Sequence, residues 1–590
     1  MFTWNKLFFA VLITAFYAFG MQFVLGFAPL SFEDHFIWTQ LLALIVIFAL
    51  WKGWLHPKLN PMTTLLFYGV LIASHFGWQL LVSIWGLPVC HLAFGITWYG
   101  VLELPSLFLL GALAFAFQHW FQSKWYAMLG IVGVVVFFGL FNVVELLNQP
   151  TMSFLHPTVG YFPGPLYDTW IPITQGVINA RVMSVALGVF VLLAVRWPKY
   201  LLLLPVLLLS LFARPQMLWL NTHITLQHRM KHHQQTDFVH IYSQDKALSP
   251  SERASIDYYV TRITQKLDLP LPDQKINMYL YQDPQKKKIW TGTHYTMIGN
   301  PRQKTMHILG FSTWSTLLVH ELTHVLASSM KKNILSMPIN PLLTEGLAMY
   351  IQEHRGAFDL NQWAKAIITF RESQNKKTSI DMLNGMKAFY QSPSSHAYLL
   401  AGAWTQYLIE TYGLDAYKKY YAGTSPKRSF GKGLDDIQVQ WRAHLDKVSL
   451  VDQAYQAMAK RLDQKAIFEA TCPHELAHAE IKIDACQHKA CIDQWKAFAK
   501  KCNPNWQYIP AIIPMAPEAK LKDLLAHPPK QQSPQDTYNY QLTLAIAHER
   551  NQDLSSALVH ARKAQAQNNT RMIQRHIARL EYIIEALGII

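Results

Sequence analysis

Two histidines four residues apart, His320 and His324, stand in the segment LLVHELTHVL, with Glu321 directly after the first. On an α-helix, positions i and i+4 share a face, so both imidazoles can reach one metal ion while the Glu321 carboxylate lies beside them. Further along, Glu345 opens a second helical pattern, EGLAMYIQ, and can supply a third ligand. Three protein ligands leave a fourth position for water, which separates a catalytic zinc from a closed structural one. Leu317, Leu318, Val319, Leu322, Val325 and Leu326 surround the histidines, the pattern of a helix buried in a domain interior.

A bare HExxH carries little weight, and this chain contains two. The second is His474, Glu475 and His478 in TCPHELAHAEIK. It follows Cys472 and Pro473, lacks an apolar run on its N-terminal side, and has no Glu-Gly-x-Ala segment downstream. It reads as an exposed helix start.

With His320, Glu321, His324 and Glu345 in this order, the chain resembles the gluzincin (HExxH…E) zinc metallopeptidases over about residues 235–445. A third segment, beginning at Tyr398 and reading YLLAGAWTQYLIETYG, is similar to the tyrosine-bearing helix that follows the zinc site in gluzincin aminopeptidases. Registered on Tyr407-Leu408, the resemblance places Tyr398 where those enzymes carry the tyrosine that stabilises the oxyanion, although the spacing to the glycine differs by one residue. It implies Zn²⁺ held by His320, His324 and Glu345, Glu321 as general base and acid, and a peptide or protein substrate. The Gly-x-Met-Glu-Asn segment that anchors a substrate amino terminus in the family is absent upstream of His320, which favours an endopeptidase or a more restricted role.

At 590 residues, the chain is too long for one ordinary domain. Only eight of its 52 Lys/Arg and five of its 37 Asp/Glu fall in residues 1–220. That part therefore reads as a membrane region and the rest as water-soluble. A helix needs about 20 residues to cross a bilayer. Apolar runs of suitable length lie near 7–28, 37–54, 63–87, 100–118, 125–147 and 178–196, with a seventh near 200–218 that Pro205 and Arg214 interrupt. Trp38, Trp51, Trp54, Trp85, Trp98, Trp120, Trp125 and Trp197 fall near the run ends, where indole suits the headgroup layer. The first run lacks a small-x-small cleavage site and reads as retained.

Lys6, Lys52, Lys58, Lys124, Arg196 and Lys199 mark alternate loops as cytoplasmic; the intervening loops hold Glu33 and Asp34, no charge, or Asp168. With seven spans, everything after about residue 220 lies outside the cell membrane, in the periplasm if the source is a bacterium with an inner membrane. Without the seventh span, the soluble part is cytoplasmic. Four of the five cysteines (Cys472, Cys486, Cys491 and Cys502) cluster near the C-terminus, as two disulfides of an oxidising compartment would. Zinc binding by this patch is the competing reading. His75, Glu103, Glu145 and Arg181 are ionisable residues within spans, which makes them functional candidates.

Between 238 and 309 the pattern is that of a small α/β lobe. FVHIYS, KINMYLYQ and Met306–Leu309 read as strands, and Ser249-Pro250-Ser251-Glu252 opens a helix running to about Lys266. Helix follows Glu345 to about 445. After a Pro-rich break at 509–533, residues 537–567 resemble one tetratricopeptide repeat, with Ala545, Ala557 and Ala564 at the small positions and 551–553 as the turn.

The expected architecture is a multi-pass α-helical membrane domain (1–220), an α+β zincin-like metallopeptidase domain (221–450) and an α-helical, tetratricopeptide-like C-terminal region (451–590). Expected partners are a peptide or protein substrate, the lipid bilayer, and a protein met through the C-terminal helices. The net charge of +15 is spread along the chain without an aromatic-interleaved basic motif, so nucleic acid is not among them. The competing expectation is a membrane transport, receptor or assembly protein whose zinc domain is a non-catalytic binding module. An intramembrane protease fits poorly, because the apolar stretch around His320 ends at Lys331-Lys332, too soon to span.

Overall fold

The apolar runs of the N-terminal third become helices. A computed structural model describes the chain except for residues 1–3, 25–27, 53–60, 87–88, 90–91, 122, 164–170, 198–221, 313–315, 332, 356–357, 392–393, 453, 457–471, 487, 503–533 and 590. Its contacts divide the chain into two units, one of residues 1–226, 285–296 and 469–510, the other of 227–284, 297–468 and 511–590.

The first unit is a helix bundle. Helix α1 (Trp4–Phe19) runs into a π-turn, Gly20–Val24, and is followed by α2 (Phe32–Trp51) and α3 (Pro61–Trp85). Next, α4 (Leu92–Trp98), a π-helical segment (Tyr99–Glu103) and α5 (Leu104–Phe121) form one continuous helix, and α6 (Lys124–Asn148) and α7 (Gln175–Arg196) complete the series. Among the described residues, five helices are long and apolar enough to cross a membrane, and Phe8–Phe23 is a shorter apolar one. The seventh expected run lies outside the described residues. On α6, Leu129, Val136, Leu140 and Val143 are exposed, an apolar face that water would penalise and acyl chains would not.

Two details differ from the sequence reading. Glu33 and Asp34, expected in a loop, lie in the first turn of α2, where Ser31 caps the helix by accepting from the Asp34 amide. The segment around the second HExxH is a helix start as expected (Pro473–Ala485), but an inward-facing one: Glu475 is buried, and Leu476 and Ala479 pack with Ala28. A disulfide joins Cys486 to Cys491, and Cys472 is also disulfide-bonded. The Cys502 side chain lies outside the described residues. Between α6 and α7, β1 (Phe154–His156) and β2 (Gly160–Phe162) form a hairpin.

The second unit holds a five-stranded sheet in the order β3-β4-β5-β7-β6: β3 (His232–Gln235), β4 (Val239–Ser243), β5 (Ile276–Tyr281), β6 (Ile298–Asn300) and β7 (Thr305–Leu309). The three central strands are parallel, and both edges are antiparallel. Between β4 and β5 runs the helix Pro250–Lys266. Its capping box is complete: Ser249 Oγ accepts from the Glu252 amide at 3.2 Å, and the Ser249 amide donates to Glu252 Oε2 at 2.8 Å. β3 and β6, which the sequence reading did not expect, are short and lie at the sheet edges, where alternation has too few residues to register.

Three C-terminal helices, Pro534–Arg550, Leu554–Gln567 and Arg571–Ala586, pack around their own apolar core, in which Ala545, Ala557 and Ala564 are fully buried. The last of them meets the Pro250–Lys266 helix. There Arg579 donates to both Glu549 oxygens, at 2.7 and 2.6 Å, and to Ser255 Oγ at 2.9 Å. A buried guanidinium needs such pairing to be tolerated.

Candidate metal centre

The helix Thr316–Leu326 carries both histidines of the first motif. It is amphipathic by sequence, with Leu318, Val319, Leu322, Val325 and Leu326 in the core; Leu317, expected among them, is exposed. Pro341 opens the next helix, Pro341–Gln352, and Asn340 caps it by accepting from the Leu342 amide. This start places Glu345 one turn in, facing the histidine helix.

Both imidazoles point Nε2 at the same carboxylate oxygen: His320 Nε2 lies 3.1 Å and His324 Nε2 3.3 Å from Glu345 Oε2. One ligand atom from each of the three residues falls within 4.8 Å of the others, and among the described residues no other group of His, Cys, Asp or Glu does this. Two imidazole nitrogens and one carboxylate oxygen, nearly enclosed yet reachable, suit a zinc ion with an open position. Burial works against charge on His324, but the Glu345 carboxylate outweighs it, with Glu321 adding, and pushes the imidazole up to about 9. Burial likewise opposes charge on Glu345, and the two histidines overcome it and hold its carboxyl well below the usual range. A cation bound between them would take the place of the proton that His324 and Glu345 otherwise share, since ligand imidazoles are neutral.

Gln352 is the residue that sequence reasoning missed. Its amide nitrogen donates to Thr316 Oγ1 at 2.8 Å, which leaves Oε1 to accept from His320 Nδ1 at 3.2 Å. His320 is thereby set in the Nδ1–H tautomer, with the Nε2 lone pair free for a metal. Seven residues separate Gln352 from Glu345, two turns on one face, and that periodicity was the available signal. Removing this hydrogen bond with Gln352→Leu is expected to weaken zinc binding about 10- to 100-fold, typical for the outer partner of a ligand histidine. Competition against a chelator measures it, and an unchanged affinity would reject the orienting role.

The C-terminus of the same helix is pinned. Glu353, at φ 69°, receives both oxygens' bonds from Arg262 at 3.0 Å and one from Lys266 at 2.6 Å. Burial alone would raise Glu353; Lys266 and Arg262 outweigh it and hold the carboxyl down at about 2. A depressed carboxylate stabilises the fold above its unfolded value of about 4.3 and loses that contribution as pH falls through the folded value. The pairing should therefore supply up to about 3 kcal/mol near neutrality, lost between about pH 4 and 2. Comparison with Glu353→Gln in acid unfolding checks this, since the stability gap should close across that window.

Glu321 is buried against the sheet edge. A Cβ at Gly299 of β6 would stand 2.4 Å from the Glu321 carbonyl oxygen and 3.2 Å from its Oε2, so only glycine lets the strand approach this closely. Tyr398 lies on the helix Ser394–Tyr412, its ring centroid 6.2 Å from that of His320 and 5.3 Å from that of Phe389. All five residues singled out in sequence (His320, Glu321, His324, Glu345 and Tyr398) are thus in one neighbourhood.

No protein-family model, no curated protein and no solved structure matches this chain. The site accordingly rests on its own chemistry.

The second HExxH does not make a comparable centre. His474 Nε2 lies 2.5 Å from Glu33 Oε1, and His478 packs edge-on against Phe94 and Trp495. Burial pushes the Glu475 carboxyl up, against the pull of His474. These residues hold the disulfide-bearing segment against the helix bundle within the first unit.

Proposed function

We propose that this protein is a membrane-anchored zinc metallopeptidase that hydrolyses peptide bonds on the extracytoplasmic side. The observation that carries the reading is the convergence of His320, His324 and Glu345 on one point, with the Glu321 carboxylate on the same helix and face. The donor set fits zinc: two neutral imidazole nitrogens, one of them in a fixed tautomer, and a carboxylate. A zinc ion bound there would supply Lewis acidity, polarising the scissile carbonyl and acidifying a water.

The chain's own residues do the rest. Glu321 accepts the proton of the attacking water and returns it to the leaving amine. Tyr398, beside His320, donates its hydroxyl proton in a hydrogen bond to the developing oxyanion. The edge strand β6, with Gly299 against Glu321, offers unpaired backbone groups along which an extended peptide can add. Retained Glu321 favours catalysis over a pure binding module, which would need only the ligands. The C-terminal helices have the antiparallel form of a tetratricopeptide-like hairpin and cap the peptidase unit.

The test is digestion of a mixed peptide library by the full-length, detergent-solubilised, zinc-loaded protein. Cleavage that a chelator abolishes and zinc restores supports the peptidase, and internal cuts support endopeptidase action. A protein that binds one zinc and cuts nothing would move the assignment to a binding module.

A further inference from the structure

Inside the helix bundle, far from any role in the site above, six polar side chains from three segments are closed off together. Asp34 and His35 from α2, His75 and Gln79 from α3, and Glu103 from the π-helical segment are fully buried, and Tyr99 is nearly so. His35 Nδ1 lies 2.5 Å from Glu103 Oε1. His75 stands between the two carboxylates, its Nδ1 3.6 Å from Glu103 Oε1 and its Nε2 3.5 Å from Asp34 Oδ1. Gln79 donates to Asp34 Oδ1 at 2.7 Å, and the Tyr99 hydroxyl is 2.9 Å from His75 Nδ1. The order is a chain: His35, Glu103, His75, Asp34, Gln79.

Such a cluster is costly to bury and demands a reason. Four of its atoms, Asp34 Oδ2, His35 Nε2, Gln79 Oε1 and Glu103 Oε2, have no hydrogen-bonding partner among the described residues. Glu103 also ends a π-helical segment, an irregularity found mostly at working sites. A metal is not the ligand that this arrangement favours. The nitrogens and oxygens are strung out in a line and do not converge as those of His320, His324 and Glu345 do.

A proton fits. Neutral His75 accepts at one ring nitrogen, from the Tyr99 hydroxyl at Nδ1 or from Gln79 Nε2, 3.3 Å away, at Nε2, and donates from the other. Once protonated, it donates from both nitrogens. The two states differ by one proton and by the turning of a neighbouring hydroxyl or amide, with no ring displaced. Each proton taken up by an imidazole offsets one unit of the cluster's carboxylate charge. Other ionisable groups of the neighbouring helices are turned elsewhere or only border the cluster. Tyr17 of α1 donates to the Asp34 carbonyl oxygen at 2.5 Å. Arg181 of α7 donates to Ser106 Oγ and to the His156 carbonyl, and Glu33 faces His474.

We propose that Asp34, His35, His75 and Glu103 form a proton-exchange site within the helix bundle, in which His75 takes a proton from hydronium at its unprotonated ring nitrogen, leaving water, and later returns it. The bundle is then a proton-responsive element as well as an anchor.

The experiment is nitrogen NMR of the full chain, ¹⁵N-labelled at histidine and embedded in lipid nanodiscs, titrated between about pH 5 and 10, a range that covers perturbed imidazoles. His75→Gln and His35→Gln identify the two signals by their loss. The expected result is a reversible titration of His75 whose midpoint is displaced by at least about one pH unit in Glu103→Gln, as removal of a charged neighbour requires. Asp34→Asn, acting at the other nitrogen, should displace it too, and serves if Glu103→Gln does not fold. Signals from His35 and His75 that stay in one protonation state throughout would mark a fixed structural ion pair and overturn the proposal. So would a metal ion retained by a His320→Ala/His324→Ala background and lost on His35→Gln, which would make the cluster a metal site.

Discussion

Glu321→Gln is expected to leave zinc content unchanged and to lower peptide turnover about 10²- to 10⁴-fold, the usual contribution of a positioned acid–base group. The amide has the shape of the carboxylate, so the close approach of β6 at Gly299 is preserved. None of the three metal-directed atoms belongs to residue 321, and the Gln352 hydrogen bond to His320 is untouched. What is lost is the capacity to accept a proton. Metal analysis and library cleavage on the same preparation separate the two effects. Full activity in the variant would remove Glu321 from the chemistry, and loss of zinc together with activity would make its role one of shaping the site.

Gly346→Ala should disrupt the centre without touching a ligand. The helix Pro341–Gln352 packs against Ser394–Tyr412 so closely that a Cβ at residue 346 would lie 2.7 Å from the Ala401 carbonyl oxygen and 2.5 Å from Thr405 Oγ1. The threonine can rotate; the carbonyl belongs to a helix and cannot. On the opposing helix, Gly402 plays the same part, its Cβ position 2.6 Å from Met349 Cβ. The helices must therefore separate or shift, at an expected cost of about 1–3 kcal/mol for overpacking. Glu345 is the adjacent residue, and its carboxylate shifts with the helix relative to His320 and His324. Lower thermal stability should accompany weaker zinc binding, read from a melt with and without added zinc. A variant that melts and binds zinc as the parent does would show that the close contact does not set the geometry.

What each source of information could decide follows from the range of the forces involved. The ligand pair His320 and His324 was legible because i and i+4 share a helix face whatever the helix packs against. The strands at β4, β5 and β7 and the capping box at Ser249 are equally local, fixed by alternation and by one side chain reaching three residues ahead. The apolar runs of the bundle carry their own signal, since backbone groups in hydrocarbon must pair within the segment. Glu345 could be proposed from spacing, but its approach to both imidazoles is set by how its helix packs, and Gly346 and Gly402 let that helix close on Ser394–Tyr412.

The rest depended on which faces meet. Gln352 has the right periodicity with Glu345, yet its partner His320 is on another helix, and nothing local marks the contact. Glu33 and Asp34 looked like loop charges because two acids beside an apolar run usually are; the Ser31 cap starts the helix before them and carries Asp34 into the bundle. Glu475 looked exposed because its own helix start is polar, and it is the bundle beside it that buries it. The chain of carboxylates and imidazoles around His75 draws on residues from 34 to 103, each ordinary in its own segment. Local patterning was enough for the longer elements and for the helix face that offers metal ligands, because those follow from the backbone's periodicity. Only the tertiary structure decided which polar groups face each other out of water, because that depends on how the side chains of distant segments fill a shared interior.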